Sequence, residues 1–593
     1  MNKILLFFTL LCFEISFAQL SVRNNAYVYV NDLVLYVEDD VNIEESTAHV
    51  YLRNESQLIQ GSGTTGNSGV GKLSIYQNGK ASAAAYNYWC SPVGNVLGDD
   101  NNNRPFRANN NIYDVVSSPI TSNLATYMQA PNYNGTTAPL VIADYWLWSY
   151  NPGTQYSEWD HVLSTGDVAP GYGFTMKGTL GSSNNQLYDF RGKPNNGTIF
   201  TSVLNGQETL VGNPYPSALD ARDYIHDSNN ASLLDSGTLY FWEQDLTITS
   251  HVIINYRGGY ATYTINSAGT VETFIPATFD SYNYDGTLNT GGSSSTSGKA
   301  VFRYIPVGQG FMVKGSGSGN LRTTNSMRKF EKEAPNVSEF FRQQQNNSRT
   351  DYIQYNDEGL QVVPDDYKRF RINVDFNDTY TRQLLQNFHH TASAEKDYGL
   401  ESKSPELIES DAHWIQDGEA YSAQAFNFNV DLTIPLHVII ENQQLVRFRI
   451  FDVQNFDDSQ PIFIHDIEND LYVDLRSQNY ELNLEPGNYT NRFEITFTSN
   501  ALSTEDVTIL DDFSVFQNNN LSELHILNPN QLEIKNVNLF DANGKQIFNK
   551  IDLPIDSSYM YSTKGLSDGV YIVKITFESG QDLSKKIIIA NKQ

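Results

Sequence analysis

The chain has 593 residues, 40% hydrophobic and 18% charged, which excludes a highly charged disordered chain and a helical membrane protein, while a small outer-membrane barrel stays open although the long Gly/Asn-rich loops and uneven strand spacing do not suggest one. Its 39 basic and 68 acidic residues leave a formal charge of -29, which repels phosphate backbones, argues against nucleic-acid partners and suits solubility outside the cell. A prior of ~150 residues per domain predicts about four domains, and the 36 Tyr and 32 Phe favour strands.

Met1-Asn2-Lys3, an apolar run from Ile4 to Cys12, and small Ser16 and Ala18 before Gln19 predict a secretory signal over residues 1–18. Cys12 sits behind bulky Leu11, which does not suit lipidation. Beyond the leader Cys90 is the one remaining cysteine, so no intrachain disulfide is expected. No later stretch approaches the ~20 apolar residues of a membrane-spanning helix.

Residues 19–80 alternate in short faces: Val28 and Val30; Leu33, Leu35 and Val37; Val41 and Ile43; Val50 and Leu52. Asn31-Asp32, Asp39-Asp40 and Asn54-Glu55 break them. Period-two faces with regular breaks predict a short β-solenoid or a meander, closed by the Gly61–Gly71 run.

Residues 81–320 contain a repeat, with copies over 81–180 and 200–320. Gly171-Tyr172-Gly173-Phe174-Thr175-Met176-Lys177-Gly178 matches Gly308-Gln309-Gly310-Phe311-Met312-Val313-Lys314-Gly315. Tyr145-Trp146-Leu147-Trp148 is paired with Leu239-Tyr240-Phe241-Trp242, and Cys90-Ser91-Pro92 with Gly212-Asn213-Pro214. The order of the three motifs is kept while the spacers differ, as in two copies of one β-rich unit packed as halves of a domain.

Gly315–Gly319 reads as a flexible linker. It opens a polar linker over 321–365 with a short helix around Val337–Gln343. A β-sandwich is expected over 366–500, from the alternation at Arg371–Val374 and strands at Leu432–Ile440, Leu445–Asp452, Ile462–His465, Tyr480–Leu484 and Arg492–Phe497. Arg382-Gln383-Leu384-Leu385 reads as a helical turn within it. The last segment, 510–593, has strands at Leu532–Ile534, Val537–Phe540, Gly569–Phe577 and Lys585–Ala590, with a tight turn at Asp541–Lys545.

That last segment resembles the type A C-terminal sorting domain of the Bacteroidetes type IX secretion system. The likeness is carried by Val537–Asp541 with Gly544 and Lys545, by Gly565-Leu566-Ser567-Asp568-Gly569-Val570-Tyr571, and by Gly580, Lys585, Lys586 and Ile587–Ile589. The family's Tyr-Pro-Asn-Pro opening is reduced here to Leu527-Asn528-Pro529. The resemblance implies a small Ig-like β-sandwich gripped by an outer-membrane translocon, with the type IX machinery as partner and the cell surface or medium as destination. Through Trp89-Cys90-Ser91-Pro92-Val93-Gly94 and Gly212-Asn213-Pro214-Tyr215-Pro216, residues Tyr86–Gly315 resemble a region of flavobacterial surface proteins, and through Arg382–Leu385, Asp397-Tyr398-Gly399 and Ile434-Pro435-Leu436, residues Arg371–Phe497 resemble the sandwich that often follows it, a likeness that implies location and no chemistry.

No metal-site spacing, nucleophile elbow or phosphate loop occurs. His389 and His390, adjacent on a regular element, are expected to point apart. Cys90, between Trp89 and Ser91, is expected to be a buried structural thiol. Asp99-Asp100 and Asp457-Asp458 are acidic turns without a complete calcium loop, so calcium remains without a motif and no cofactor or metal is assigned. The candidate ligand-stacking aromatics are Tyr145, Trp146, Trp148, Trp159, Tyr240 and Trp242, weighed against a role in the core. The expected protein is all-β, multidomain, exported and non-enzymatic, adhesive or glycan-binding, with surface glycan or extracellular matrix as partner. The alternative is a polysaccharide hydrolase with an unrecognised carboxylate pair.

Overall fold

The computed structural model describes residues 19–593 apart from 64, 97, 99, 182–184, 289–299, 334–352, 357–358, 500–512, 543, 579–581 and 591–593. The predicted leader, the helix around Val337–Gln343, and Asp99, Asn543 and Gly580 lie outside the described residues. The chain forms two compact units, 1–499 and 500–593. Among the described residues no helix is long and apolar enough to cross a membrane.

The first unit opens as a parallel solenoid rather than a meander. Leu20–Val22 pairs with Val41–Ile43, Tyr27–Asn31 with His49–Arg53, and Val34–Val37 with Gln57–Gln60, all parallel. Partners are 21 to 23 residues apart (Leu20 opposite Val41, Val34 opposite Gln57), which is one coil. Lys72–Lys80 stacks parallel on His49–Arg53 and begins a third coil. Val41, Ile43, Val50, Leu52, Leu58 and Leu73 fill the interior. Parallel stacking places the alternating apolar faces above one another, whereas a meander would reverse every second strand.

Lys72–Lys80 also pairs antiparallel with Asn185–Pro194. Its counterpart Ile199–Val203 pairs antiparallel with Gly319–Thr323. The repeat therefore extends beyond 81–180 and 200–320 to about 72–194 and 199–329, and its first strand doubles as solenoid. Gly315–Gly319 is no linker: it joins the Gly310–Gly315 and Gly319–Thr323 strands inside the second copy.

Strand register shows the equivalence of the copies. Phe174 lies opposite Trp89, and Phe311 opposite Val211, each one residue before the Cys90 or Gly212 position. Trp148 lies opposite Thr175, and Tyr240 opposite Met312, so Trp148 corresponds to Tyr240. The aromatic tetrads are thus two residues out of step with the sequence alignment, which put Trp148 on Trp242. Contacts between the copies are reciprocal. Trp89 bridges Gln309 while Val211 bridges Tyr172. The Cys90 N–H donates to Gly308 O at 2.8 Å while the Gly212 N–H donates to Gly171 O at 3.2 Å. Reciprocity of this kind defines a local two-fold axis.

That axis explains the glycines. Gly171 and Gly308 have φ of +86° and +79°, which disfavours any side chain. At Gly212 an added Cβ would stand 2.4 Å from Cys90 Cβ. The two equivalent positions face each other across the axis, and there is room for one side chain.

Residues 366–499 form one sheet curled round a single core, sandwich-like and nearly closed. Its hydrogen-bonded path runs through strands 471–474, 463–466, 487–496, 433–440, 411–416, 419–426, 380–388, 368–376, 444–454 and 480–484, with 402–403 beside 419–426. Phe370, Trp414, Leu436, Phe448 and Ile495 fill it. Arg382–Leu385, expected as a helical turn, lies in the Tyr380–Phe388 strand. Its alternation is hidden because both faces are buried: Leu384 faces this core, while Leu385 packs on Ile275 of the second copy. Arg382 is satisfied by a bidentate pair with Asp411, at 2.6 and 2.8 Å.

The second unit is a two-sheet sandwich. Strands 514–518, 523–527 and 558–562 form one sheet; 546–551, 534–541, 569–577 and 582–589 form the other. Leu524, Ile526, Val537, Leu539, Val573 and Ile575 lie between them. The first strand starts at Ser514, so Leu527-Asn528-Pro529 ends the second strand rather than opening the domain. Asn528 is buried and its Nδ2 donates to Leu532 O and Asp556 O, both at 2.9 Å, which pins the following turn.

Candidate functional site

Strand alternation creates an aromatic face on the repeat domain. In Tyr86–Trp89, Trp89 points into the core, leaving Tyr86 and Tyr88 on the other face beside Lys177 and Thr175. In the second copy Leu210, Met312, Tyr240 and Trp242 occupy the equivalent face, with Tyr260 opposite Trp242. The local two-fold brings the faces together. The rings of Tyr88 and Trp242 are near-parallel with centroids 6.1 Å apart, and Tyr88 and Tyr260 hydroxyls meet at 3.1 Å. Trp159 closes one side, 6.0 Å from Tyr88 and 4.9 Å from Tyr150.

Of the six aromatics singled out from sequence, none is fully exposed. Trp146 and Tyr240 are buried, which corrects their assignment as stacking platforms. Tyr145 and Trp148 are half-buried, and Trp148 is covered by His161, stacked at 3.9 Å. Trp159 and Trp242 are half-buried at the same ring cluster, beside Tyr260. At the rim, exposed Tyr156 packs its ring against Gly286, where a Cβ would come within 2.2 Å of it.

Carboxyls flank these rings, a feature absent from any sequence motif because they come from three distant segments. Burial raises the Glu208 carboxyl, with Lys314 opposing. Glu406 retains accessible surface yet is enclosed enough that burial, then Glu208 and Asp280, push it up to about 7. Asp280 is pushed to about 6 by burial, and its Oδ2 is buried without a hydrogen bond. Glu406 acts electrostatically on Tyr88, Tyr260 and Tyr282.

Lys177 lies beneath Trp146, its Nζ 3.5 Å from the ring centroid, with Tyr86 and Tyr256 on other sides. It donates to Tyr256 Oη and contacts His251 Nδ1 at 3.3 Å. Ring faces favour an ammonium by ~2 kcal/mol, but burial dominates and lowers Lys177 to about 6. A lysine held below its unfolded pKa binds fewer protons folded than unfolded, so its contribution to stability increases with pH from about 6 towards the ordinary lysine range. The difference in urea-unfolding free energy between the wild type and Lys177→Met is expected to rise in favour of the wild type from pH 7 to pH 9, by up to ~1.4 kcal/mol per unit. A difference independent of pH contradicts a neutral buried amine.

Other sequence candidates resolve as follows. Cys90 is buried and its thiol is pushed far up by burial, which makes it inert. Asp457 accepts from the Ser459 N–H and hydroxyl, and Asp100 pairs with Arg104 and Lys193, so these turns use their own oxygens. His389 and His390 do not point apart: the strand ends at Phe388 and the ring centroids lie 4.0 Å apart, near Asp366. In the second unit Gly544 has φ +75°, Tyr571 is buried with its hydroxyl on Ser567 O, and Leu566 is half-buried. Lys545, Gly569, Val570, Lys585 and Lys586 are exposed.

An all-β chain with a duplicated domain, a curled sheet and a terminal sandwich is the class that this architecture defines. The chain belongs to the family described as "Domain of unknown function (DUF8693)", whose model matches residues 98–497, about two thirds of its length. Residues 496–589 match a second family, "Domain of unknown function (DUF8694)", in agreement with the boundary between the two units. No curated protein matches. Among solved structures the chain is similar to a biofilm-associated protein BSP domain (9% identity, 75% of this chain and 88% of that one, TM-score 0.12). It is also similar to the Tp47 47-kilodalton lipoprotein of Treponema pallidum (8% identity, 65% and 92%, TM-score 0.11). Scores this low carry no argument about fold or activity.

Proposed function

We propose that this is an exported, non-enzymatic protein of the cell surface or medium, delivered by its C-terminal domain through the type IX route, and that its body binds glycan at the aromatic cluster. The observation that carries the binding reading is the meeting of half-buried Trp159, Trp242 and Tyr260 around Tyr88. Half-buried rings stack on the C–H faces of a sugar while carboxyls accept from its hydroxyls. A net charge of -29 disfavours acidic polymers as ligands, so neutral or basic glycans are the expected class. The separate terminal unit with exposed Lys585 and Lys586 supports the delivery reading.

The test is a binding screen of the full chain against immobilised glycans and matrix proteins. A neutral or amino-sugar glycan is expected to be retained, with affinity falling about tenfold in Trp242→Ala, the loss of ~1.4 kcal/mol of stacking. Absence of any glycan ligand, or an affinity unchanged in both Trp159→Ala and Trp242→Ala, rejects the reading. One observation favours a second reading, a polysaccharide hydrolase: the raised Glu406 carboxyl suits a general acid beside Glu208. Turnover of the bound glycan that disappears in Glu406→Gln while binding persists would select it.

A further inference from the structure

We propose that Asp366, His389 and His390 hold one divalent transition-metal ion of the zinc class at the junction of the curled sheet and its preceding loop. The site is remote in sequence and chemistry from the aromatic cluster and does not rest on the function proposed for it. One ligand atom from each residue lies within 4.8 Å of the others. His389 Nε2 and Asp366 Oδ2 are 3.2 Å apart. Two tetrahedral ligands at ~2.0–2.1 Å from zinc stand ~3.3 Å from each other, so this pair already has the spacing of a shared ion.

The supporting residues fix the ligands. The strand ends at Phe388, and the His389 N–H donates to Phe426 O at 3.1 Å while His389 O accepts from the Ala392 N–H at 3.0 Å. This turn swings both imidazoles to one side. Tyr367 stacks on His389 with centroids 4.1 Å apart and planes 12° from parallel. Asn455 Nδ2 donates to Pro364 O at 2.8 Å and Tyr367 O at 2.7 Å, holding the loop that carries Asp366. Thr391 Oγ1 lies 2.6 Å from His389 Nδ1. The Thr391 N–H also approaches Nδ1 at 3.3 Å, so binding an ion through Nε2, which faces Asp366, requires the tautomer whose Nδ1–H donates to Thr391 Oγ1.

A bare Asp–His hydrogen bond accounts for two of the three residues. His390 takes no part in it, although its exposed ring is packed 4.0 Å from His389. A cation between the two imidazoles and the carboxylate uses all three. Two imidazoles and one carboxylate select zinc, nickel or copper over calcium or magnesium. Asp366 and His390 are exposed, which gives an ion access and leaves a fourth position for water.

The test titrates chelator-treated full-length protein with Zn2+ by calorimetry. One equivalent is expected to bind with a saturable isotherm. His390→Ala and Asp366→Asn change exposed side chains and are expected to leave the circular dichroism spectrum intact, yet each weakens binding at least tenfold. His525→Ala, in the second unit, is expected to bind zinc like the wild type. The absence of saturable binding, or full affinity retained in either site variant, overturns the proposal.

Discussion

Removal of residues 565–593 is expected to leave the protein in the periplasm while its body folds normally. The deletion takes away the Gly569–Phe577 and Asp582–Ile589 strands, half of one sheet of the terminal sandwich. With them go the buried Tyr571, Val573, Ile575, Phe577, Ile587 and Ile589. Removing that much apolar surface from so small a core costs far more than the ~5–15 kcal/mol that stabilises a domain, so the terminal unit unfolds. Residues 1–499 form a compact unit of their own and are expected to keep their thermal transition. Loss of delivery then reports on the address rather than on the cargo. The gentler variant Lys586→Glu alters an exposed charge opposite Ile572 and near Val570 and Ile588 on the outer face of the same sheet. It is expected to fold and to be delivered poorly. Normal surface appearance of the truncated chain, detected by protease accessibility on intact cells, would falsify the delivery reading.

Gly212→Ala is expected to destabilise the first unit by ~3 kcal/mol, the upper part of the range for overpacking a filled site. Its Cβ would meet Cys90 Cβ at 2.4 Å, Gln309 O at 2.5 Å and Gly310 Cα at 2.9 Å. Two of the three are backbone atoms in the joint between the copies, so no rotamer change relieves them. Because Cys90 is the equivalent residue across the local axis, Cys90→Gly makes room on the opposite side. The cost of Gly212→Ala is therefore expected to shrink by about 1–2 kcal/mol in the Cys90→Gly background, as coupled neighbours do in a double-mutant cycle. Additive effects by urea unfolding contradict the axis.

The motifs that could be read directly are those whose meaning is local. Gly171-Tyr172-Gly173-Phe174 and its second copy were visible because a left-handed glycine next to a close backbone approach admits no other residue. The solenoid was half legible: period-two faces at Val41–Ile43 and Val50–Leu52 announce strands, but parallel and antiparallel stacking leave the same pattern. Arg382–Leu385 carries no strand signature because a strand buried on both faces loses its alternation. The aromatic tetrads were aligned two residues out because ring-rich segments match one another in several registers, and the ladder of Trp148 on Thr175 and Tyr240 on Met312 decides between them.

For this protein the sequence by itself determined the strand-rich class, the duplication and the compact terminal segment, since each is a short-range pattern of apolar residues, glycines and turns. Tertiary structure alone decided which rings are covered, which carboxyls meet them, and that two adjacent histidines share a side with Asp366. Those are contacts between segments far apart in the chain. Burial and proximity, which set stacking and charge, depend on how sheets meet across the local axis and at strand ends, and neither is written in any local run of residues.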